Sequence, residues 1–232
     1  MNNFIKLAAI FAATTTLSAT AVLADPIVAI GPKVGTQGIG IEGRAPVAEN
    51  TFVRLGANYF KYNHNYKDDD FANSGAAVKF KGSLTLLTVP LMVDYHPFDN
   101  SGFRVSAGIA YNGNKLDLKA SPAQNVKING NTYTPAQVGS IKGKLKLGST
   151  IGGLLTLGYD SSFVGNNPLS FAFEAGVMYS GQPKLSISAT GEVGKQTQFI
   201  SDLRNDANDA IKSVKNYLRF YPIVSLGVKY SF

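Results

Sequence analysis

Arg219-Phe-Tyr-Pro-Ile-Val-Ser-Leu-Gly-Val-Lys-Tyr-Ser-Phe232 is the stretch on which the fold turns. Phe220, Val224, Leu226, Val228, Tyr230 and Phe232 alternate there with Arg219, Ser225, Gly227, Lys229 and Ser231. Successive side chains of a strand point to opposite faces. The stretch is therefore one strand, with an apolar face that ends in aromatic residues and an opposite face of small and charged ones. A strand of a soluble sandwich also alternates, but its large apolar residues meet in the core and its charges face out. Alternation alone fits both arrangements. The aromatic ends and the Gly- and Ser-rich faces favour a barrel with a lipid-facing outside and a polar interior.

Six more segments repeat the pattern: 34–44, 52–62, 77–95, 102–118, 140–159 and 169–179. In 77–95 the lower part sets Leu87, Val89, Leu91, Val93 and Tyr95 against Thr88, Met92 and Asp94. The upper part sets Phe80, Leu84 and Leu86 against Lys79, Lys81 and Ser83. The apolar phase slips at Leu86–Leu87, which predicts a β-bulge there, with Pro90 close to it. The connections Ala45–Thr51, His96–Ser101 and Asp160–Pro168 are short, and Asn63–Ala76, Lys119–Gly139 and Ser180–Leu218 are long. Short periplasmic turns and long external loops are the asymmetry of outer-membrane barrels.

Seven strands break the even count of bacterial barrels. An eighth is therefore expected before Val34, where Pro26–Pro32 is the only stretch available, or else the segment 34–44 has to be read differently. The expected fold is all-β: an antiparallel up-and-down transmembrane β-barrel of eight strands. The longest loop adds an amphipathic helix over 199–217. Its residues Ile200, Leu203, Ala207, Ile211, Val214 and Leu218 recur at helical spacing, and Ser201 stands where a cap is needed. Such a helix covers the barrel rim; a plug or a partner-binding helix is the alternative.

Composition narrows the class. The chain has 232 residues, enough for one domain, and no cysteine. Its mean hydropathy is only +0.01, whereas a helical membrane protein needs runs of about 20 apolar residues. The candidate run is N-terminal: Lys6 precedes the short apolar stretch Leu7–Ala13, and the Thr-rich segment after it ends in Val22-Leu23-Ala24, as in a secretory signal, with a single membrane anchor as the alternative. Residues 1–24 are expected to be that signal, with 25–232 as the barrel domain. Cleavage takes Lys6 from the 22 basic residues and nothing from the 15 acidic ones, so the mature chain stays basic. In an exported chain this excess favours lipopolysaccharide phosphates or anionic solutes over nucleic acid. The expected setting is the outer membrane of a Gram-negative bacterium.

Two stretches carry a family likeness. Tyr221–Phe232 resembles the closing strand of small outer-membrane proteins, which ends in aromatic-X-Phe. Val89-Pro-Leu-Met-Val-Asp-Tyr-His-Pro-Phe98, followed by Gly102-Phe-Arg-Val-Ser-Ala-Gly108, is similar to a central hairpin of barrels of the outer membrane protein W and OmpA type. The resemblance implies that Tyr230 and Phe232 are read by the barrel assembly machinery, and that the barrel is a narrow channel for small or apolar molecules.

Two groups of charges are candidate sites. With the parity above, Glu42, Arg44, Arg54, Asp94, Arg104 and Lys229 face the lumen near the periplasmic end, and Glu174 lies higher. Charges in a narrow lumen need partners, so they are expected to pair across the barrel as a plug or a gate. Lys79, Lys81, Lys142, Lys144 and Lys146 are expected to form a cationic outer vestibule, or else to be solvated lysines on strands that outreach the membrane. No catalytic residue, cofactor or metal is expected. Only His64 and His96 offer a base, and Asp68-Asp69-Asp70 lacks the spacing of a calcium loop. The expected function is passive transport of small solutes. The alternative is a sealed structural or surface-interaction barrel that acts through its external loops.

Overall fold

The computed structural model describes residues 28–71, 76–128, 131–162, 164, 167–212 and 216–232. The expected signal peptide lies outside these residues. The chain opens with β1 (Ala29–Gly35), β2 (Gly38–Ala48), β3 (Thr51–Phe71), β4 (Ala76–Tyr95) and β5 (Phe103–Asn112). After them come β6 (Lys115–Pro122), β7 (Val126–Ile128), β8 (Asn131–Tyr133), the short helix α1 (Pro135–Val138) and β9 (Ile141–Lys146). The chain ends with β10 (Ile151–Asp160), β11 (Leu169–Tyr179), β12 (Lys184–Ala189), the helix α2 (Thr197–Ile211) and β13 (Phe220–Ser231).

Eight of these strands close a barrel in the order β1-β2-β3-β4-β5-β10-β11-β13, all pairs antiparallel. β13 returns to β1, with Ala29 opposite Ser231, and closes the ring. The missing eighth strand is β1, so the stretch 34–44 is not one strand. Its first residues end β1, and a turn at Thr36–Gln37 leads into β2. Gly38 sits at φ +102°, and a Cβ there would lie 2.5 Å from the Tyr59 carbonyl oxygen. Glycine is the residue that takes this conformation without a steric penalty. Thr36 ties the turn to β13: its Oγ1 donates to the Pro222 carbonyl, and its amide donates to that of Val224.

Outward-facing side chains form an apolar band. Ile41, Leu91, Val93, Ile109, Leu155, Leu157, Val224 and Leu226 lie near mid-strand and are exposed. Tyr59, Tyr111, Tyr179 and Phe220 stand at one end of the band, and Tyr95, Tyr159, Tyr230 and Phe232 at the other. So much contiguous apolar surface is costly in water and fits hydrocarbon between two aromatic girdles.

β3 and β4 outreach the barrel. The lower half of β4 pairs with β5 from Thr88 to Tyr95, and the upper half pairs with β6 from Val78 to Thr85. β9 and β12 then add to β6, so β3, β4, β6, β9 and β12 form a five-stranded sheet beyond the band. This sheet lies at the end with the long connections, the external end of such barrels. Segments 102–118 and 140–159 are therefore each two strands, which leave the barrel wall at Gly113–Asn114 and at Leu147–Thr150.

The bulge expected at Leu86–Leu87 is absent. β3 and β4 hold one register from Thr51↔Tyr95 to Asp68↔Val78, and the only shift falls between Asp68 and Phe71. The side chains do not change face; their surroundings change. Below Leu87 the inner face meets a polar lumen and the outer face lipid. Above it the inner face is apolar, and its outermost part is covered. Val78, Val138, Val193 and Phe199 are buried there, with Phe80, Ile141, Ile200 and Leu203 packed against them. Phe199 comes from α2, and its ring meets Tyr133 edge-on at 5.1 Å. The helix thus covers the external sheet and does not plug the lumen. It starts at Thr197, which puts Ser201 inside the first turns and not at the cap.

Candidate functional site: a nine-charge cluster in the lumen

Strand parity puts every expected ring residue inside the barrel. Glu42, Arg44, Arg54, Asp94, Arg104, Glu174 and Lys229 are all buried. Two further charges join them. Lys33 of β1 and Asp160 at the end of β10 are buried too. The sequence reading leaves out Lys33 because β1 is not delimited there, and Asp160 because it falls in an expected turn. A signal for each was available: Asp160 continues the inward parity of Thr156 and Gly158, and Lys33 alternates with Val34.

The nine side chains form one network of five cations and four carboxylates. Arg54 reaches Glu42 at 2.8 Å, Asp94 at 3.0 Å and Glu174 at 2.5 Å. Arg104 bridges Asp94 at 3.0 Å and Glu174 at 3.1 Å. Lys33 sits 3.0 Å from Glu42, and Lys229 binds Glu42 at 2.9 Å and also pairs with Asp160. Arg44 lies 3.5 Å from Asp94 and 3.4 Å from Asp160. No side chain in these pairs is more than 6% exposed. Arg44 and Arg54 stand directly opposite each other across β2 and β3. Like charges in that position repel, and Asp94, shared by both, offsets the repulsion. Gly158 lies opposite both Arg104 and Glu174, so no side chain stands between them where they meet.

The cluster is closed at both ends. Towards the outer mouth lies an apolar layer of Met92, Ala110, Leu154, Met178 and Ile223, with Tyr221 against it. The Tyr221 hydroxyl donates to the Thr36 carbonyl. At the periplasmic end the Arg44 guanidinium lies 3.8 Å from the centre of the Phe52 ring, and that ring meets His96 edge-on at 5.1 Å. His96 pairs through Nε2 with Arg44, and its Nδ1 lies 3.1 Å from the Ser101 carbonyl. A guanidinium only donates and a carbonyl only accepts, so the neutral Nδ1–H tautomer satisfies both. Burial, together with the Arg44 charge, lowers the His96 pKa against the opposing Ser101 hydrogen bond.

The five lysines of the expected vestibule do not face the lumen. Without a bulge, Lys79 and Lys81 stay on the outer face of β4, and both are exposed. Lys142, Lys144 and Lys146 are exposed on β9, which belongs to the external sheet. They share the sheet face opposite the α2 cover. Among the described residues no group of His, Cys, Asp and Glu is placed to hold a metal ion. His64 stacks beside Tyr62 on an exposed part of β3. The side chains of Asp68, Asp69 and Asp70 lie outside the described ones.

No family model matches the chain, and no curated protein matches it. Solved structures do. The crystal structure of Acinetobacter baumannii CarO2 aligns with 90% of this chain and 100% of its own, at 24% identity and a TM-score of 0.52. Acinetobacter baumannii CarO aligns with 89% of this chain and 98% of its own, at 22% identity and a TM-score of 0.49. A major outer membrane protein from Thermus thermophilus aligns with 88% of this chain and 97% of its own, at 16% identity and a TM-score of 0.37. The likeness to CarO2 concerns the fold. The chain is a closed eight-stranded antiparallel β-barrel that matches outer-membrane barrel neighbours.

Proposed function

We propose that this chain is a sealed barrel of the Gram-negative outer membrane that works through its external sheet and does not conduct solutes. One observation carries the reading: the nine-charge network fills the lumen, its members pair with one another, and Met92, Leu154, Met178 and Ile223 cover it. An eight-stranded barrel has an interior just wide enough for side chains to fill or to hold one small ligand. Here side chains fill it. Opening a path means exposing paired charges and moving an apolar layer together, which makes a standing pore costly.

Export through residues 1–24 and assembly read from Tyr230 and Phe232 belong to the same proposal. So does kinship with the outer membrane protein W type, whose two stretches form the β4–β5 hairpin and β13. Single-channel recording of the refolded chain in a planar bilayer tests the reading, with folding checked by heat-modifiable gel mobility. The expected result is silence. Discrete conductance steps from folded protein refute it and restore the narrow channel.

A further inference from the structure

The outer face of the external sheet is a ladder of lysines. In one row across the strands Lys61 stands opposite Thr85, Thr85 opposite Lys115, Lys115 opposite Lys146, and Lys146 opposite Lys184. Two residues further out, Asn63, Ser83, Asp117, Lys144 and Ser186 form the next row. Two further still, Lys81, Lys119 and Lys142 stand side by side. Like charges on neighbouring strands destabilise a sheet. Asp117 is the one acid in these rows, 3.5 Å from Lys115 and 3.9 Å from Lys144. The second and third rows line a trough of about 720 Å³ in which Asn63, Asn65, Ser186 and Ser188 supply neutral hydrogen-bonding groups, and the first row stands along its membrane-side rim. A concave face of that kind fits multiply charged anions.

Its position selects the anion. The strands β3 and β4 run unbroken from the apolar band into this sheet, so the lysine face continues the lipid-facing wall. The Lys61 row begins two residues above Tyr59 and Leu87, about 7 Å along the strand. Phosphates of an outer-leaflet lipid lie at that level, just past the aromatic girdle. On the sealed-barrel reading, we infer that this lysine face docks the phosphorylated headgroup of lipopolysaccharide. The acyl chains lie against the apolar band, and the phosphates lie against Lys61, Lys115, Lys146 and Lys184. The sugars that follow the phosphates lie along the Lys81–Lys119–Lys142 row.

The test is an equilibrium titration of the refolded chain in dodecyl maltoside micelles. The probes are fluorescent bisphosphoryl lipid A and the same lipid without its phosphates. The chain is expected to bind the phosphorylated form at least tenfold more tightly. The variant Lys61→Gln/Lys146→Gln/Lys184→Gln is expected to lose on the order of a hundredfold in that affinity, from a surface-charge effect of about fivefold per lysine. A control of equal charge change on the helical cover, Lys195→Gln/Arg204→Gln/Lys212→Gln, is expected to keep it.

Equal affinity for both lipids overturns the inference, as does an equal loss in both variants. Competition by inorganic phosphate at the same concentration as lipid A overturns the assignment to a lipid. The bilayer recording separates the two proposals. Conductance with phosphate-dependent lipid binding removes the seal and leaves the docking face, whereas silence without lipid preference does the reverse.

Discussion

Arg54 is the cation on which the lumen network depends most, since Glu42, Asp94 and Glu174 all touch it. Removing one partner of a buried ion pair leaves uncompensated charge and costs about 3–5 kcal/mol. Arg54→Met should therefore reduce the unfolding free energy of the refolded barrel in detergent by that amount and lower its unfolding temperature. A double-mutant cycle with Glu42→Gln should show coupling above about 0.5 kcal/mol; additive effects would deny the pairing. His96 predicts a pH dependence. Its pKa is lowered in the folded chain, so below the unfolded value of about 6.5 the unfolded state binds more protons. Stability should fall as the pH drops through about 6.5, and His96→Gln should flatten that fall in a thermal melt series. These inward charges are legible from strand parity because the barrel strands carry them without a break in alternation. Their mutual pairing is not, since it depends on which strands become neighbours: Arg54 meets Glu174 although 120 positions separate them in the chain.

At the scale of elements, β4 shows where hydrophobic pattern misleads. Leu86 and Leu87 are both large and apolar, and adjacent residues of a strand cannot share a face. A bulge is the local explanation, yet the register is continuous. Leu86 is buried inside, and Leu87 lies on the outer face that becomes lipid-exposed below it. The rule that polar means inward holds only within the membrane band, and it reverses where the strand enters water. Placing Lys79 and Lys81 in a vestibule carries the lower rule upward, past the point where it holds. The helix is visible as a periodic run, but its seat is not: the sheet that it covers exists only after β6, β9 and β12 assemble. That cover has a test. Phe199 is 3% exposed among Val78, Val138 and Val193, and truncating a buried Phe costs about 3–5 kcal/mol. Phe199→Ala should open α2 to limited proteolysis while the barrel keeps its heat-modifiable mobility. Loss of both together would show that cover and barrel unfold as one unit.

For the whole molecule, the decisive contrast is between its two environments. Leu155 is 58% exposed, while its neighbours Leu154 and Thr156 are buried. A single strand thus reports both sides of the wall. An arginine at the centre of a lipid-facing band costs about 2–4 kcal/mol. Leu155→Arg should accordingly lower the folding free energy measured by urea titration in lipid vesicles. A neutral result would mean that the band does not lie in hydrocarbon. The eight-strand count and the girdles are legible because lipid and turn asymmetry act on every strand alike. The seal is only half legible. The charges stand out, but Met178 and Ile223, which close the lumen above them, lie on faces that otherwise read as small and polar.

The unbroken β3–β4 hairpin is a cantilever. It is clamped at one end in the barrel, and its free part runs about 40 Å along the strands from Tyr59 to Phe71, at the usual rise per residue. Its inter-strand pairing is continuous through the point where it leaves the wall. A beam without a hinge transmits load. A pull or push on the external sheet reaches Arg54 and Asp94 through the same two strands, with no soft joint to absorb it.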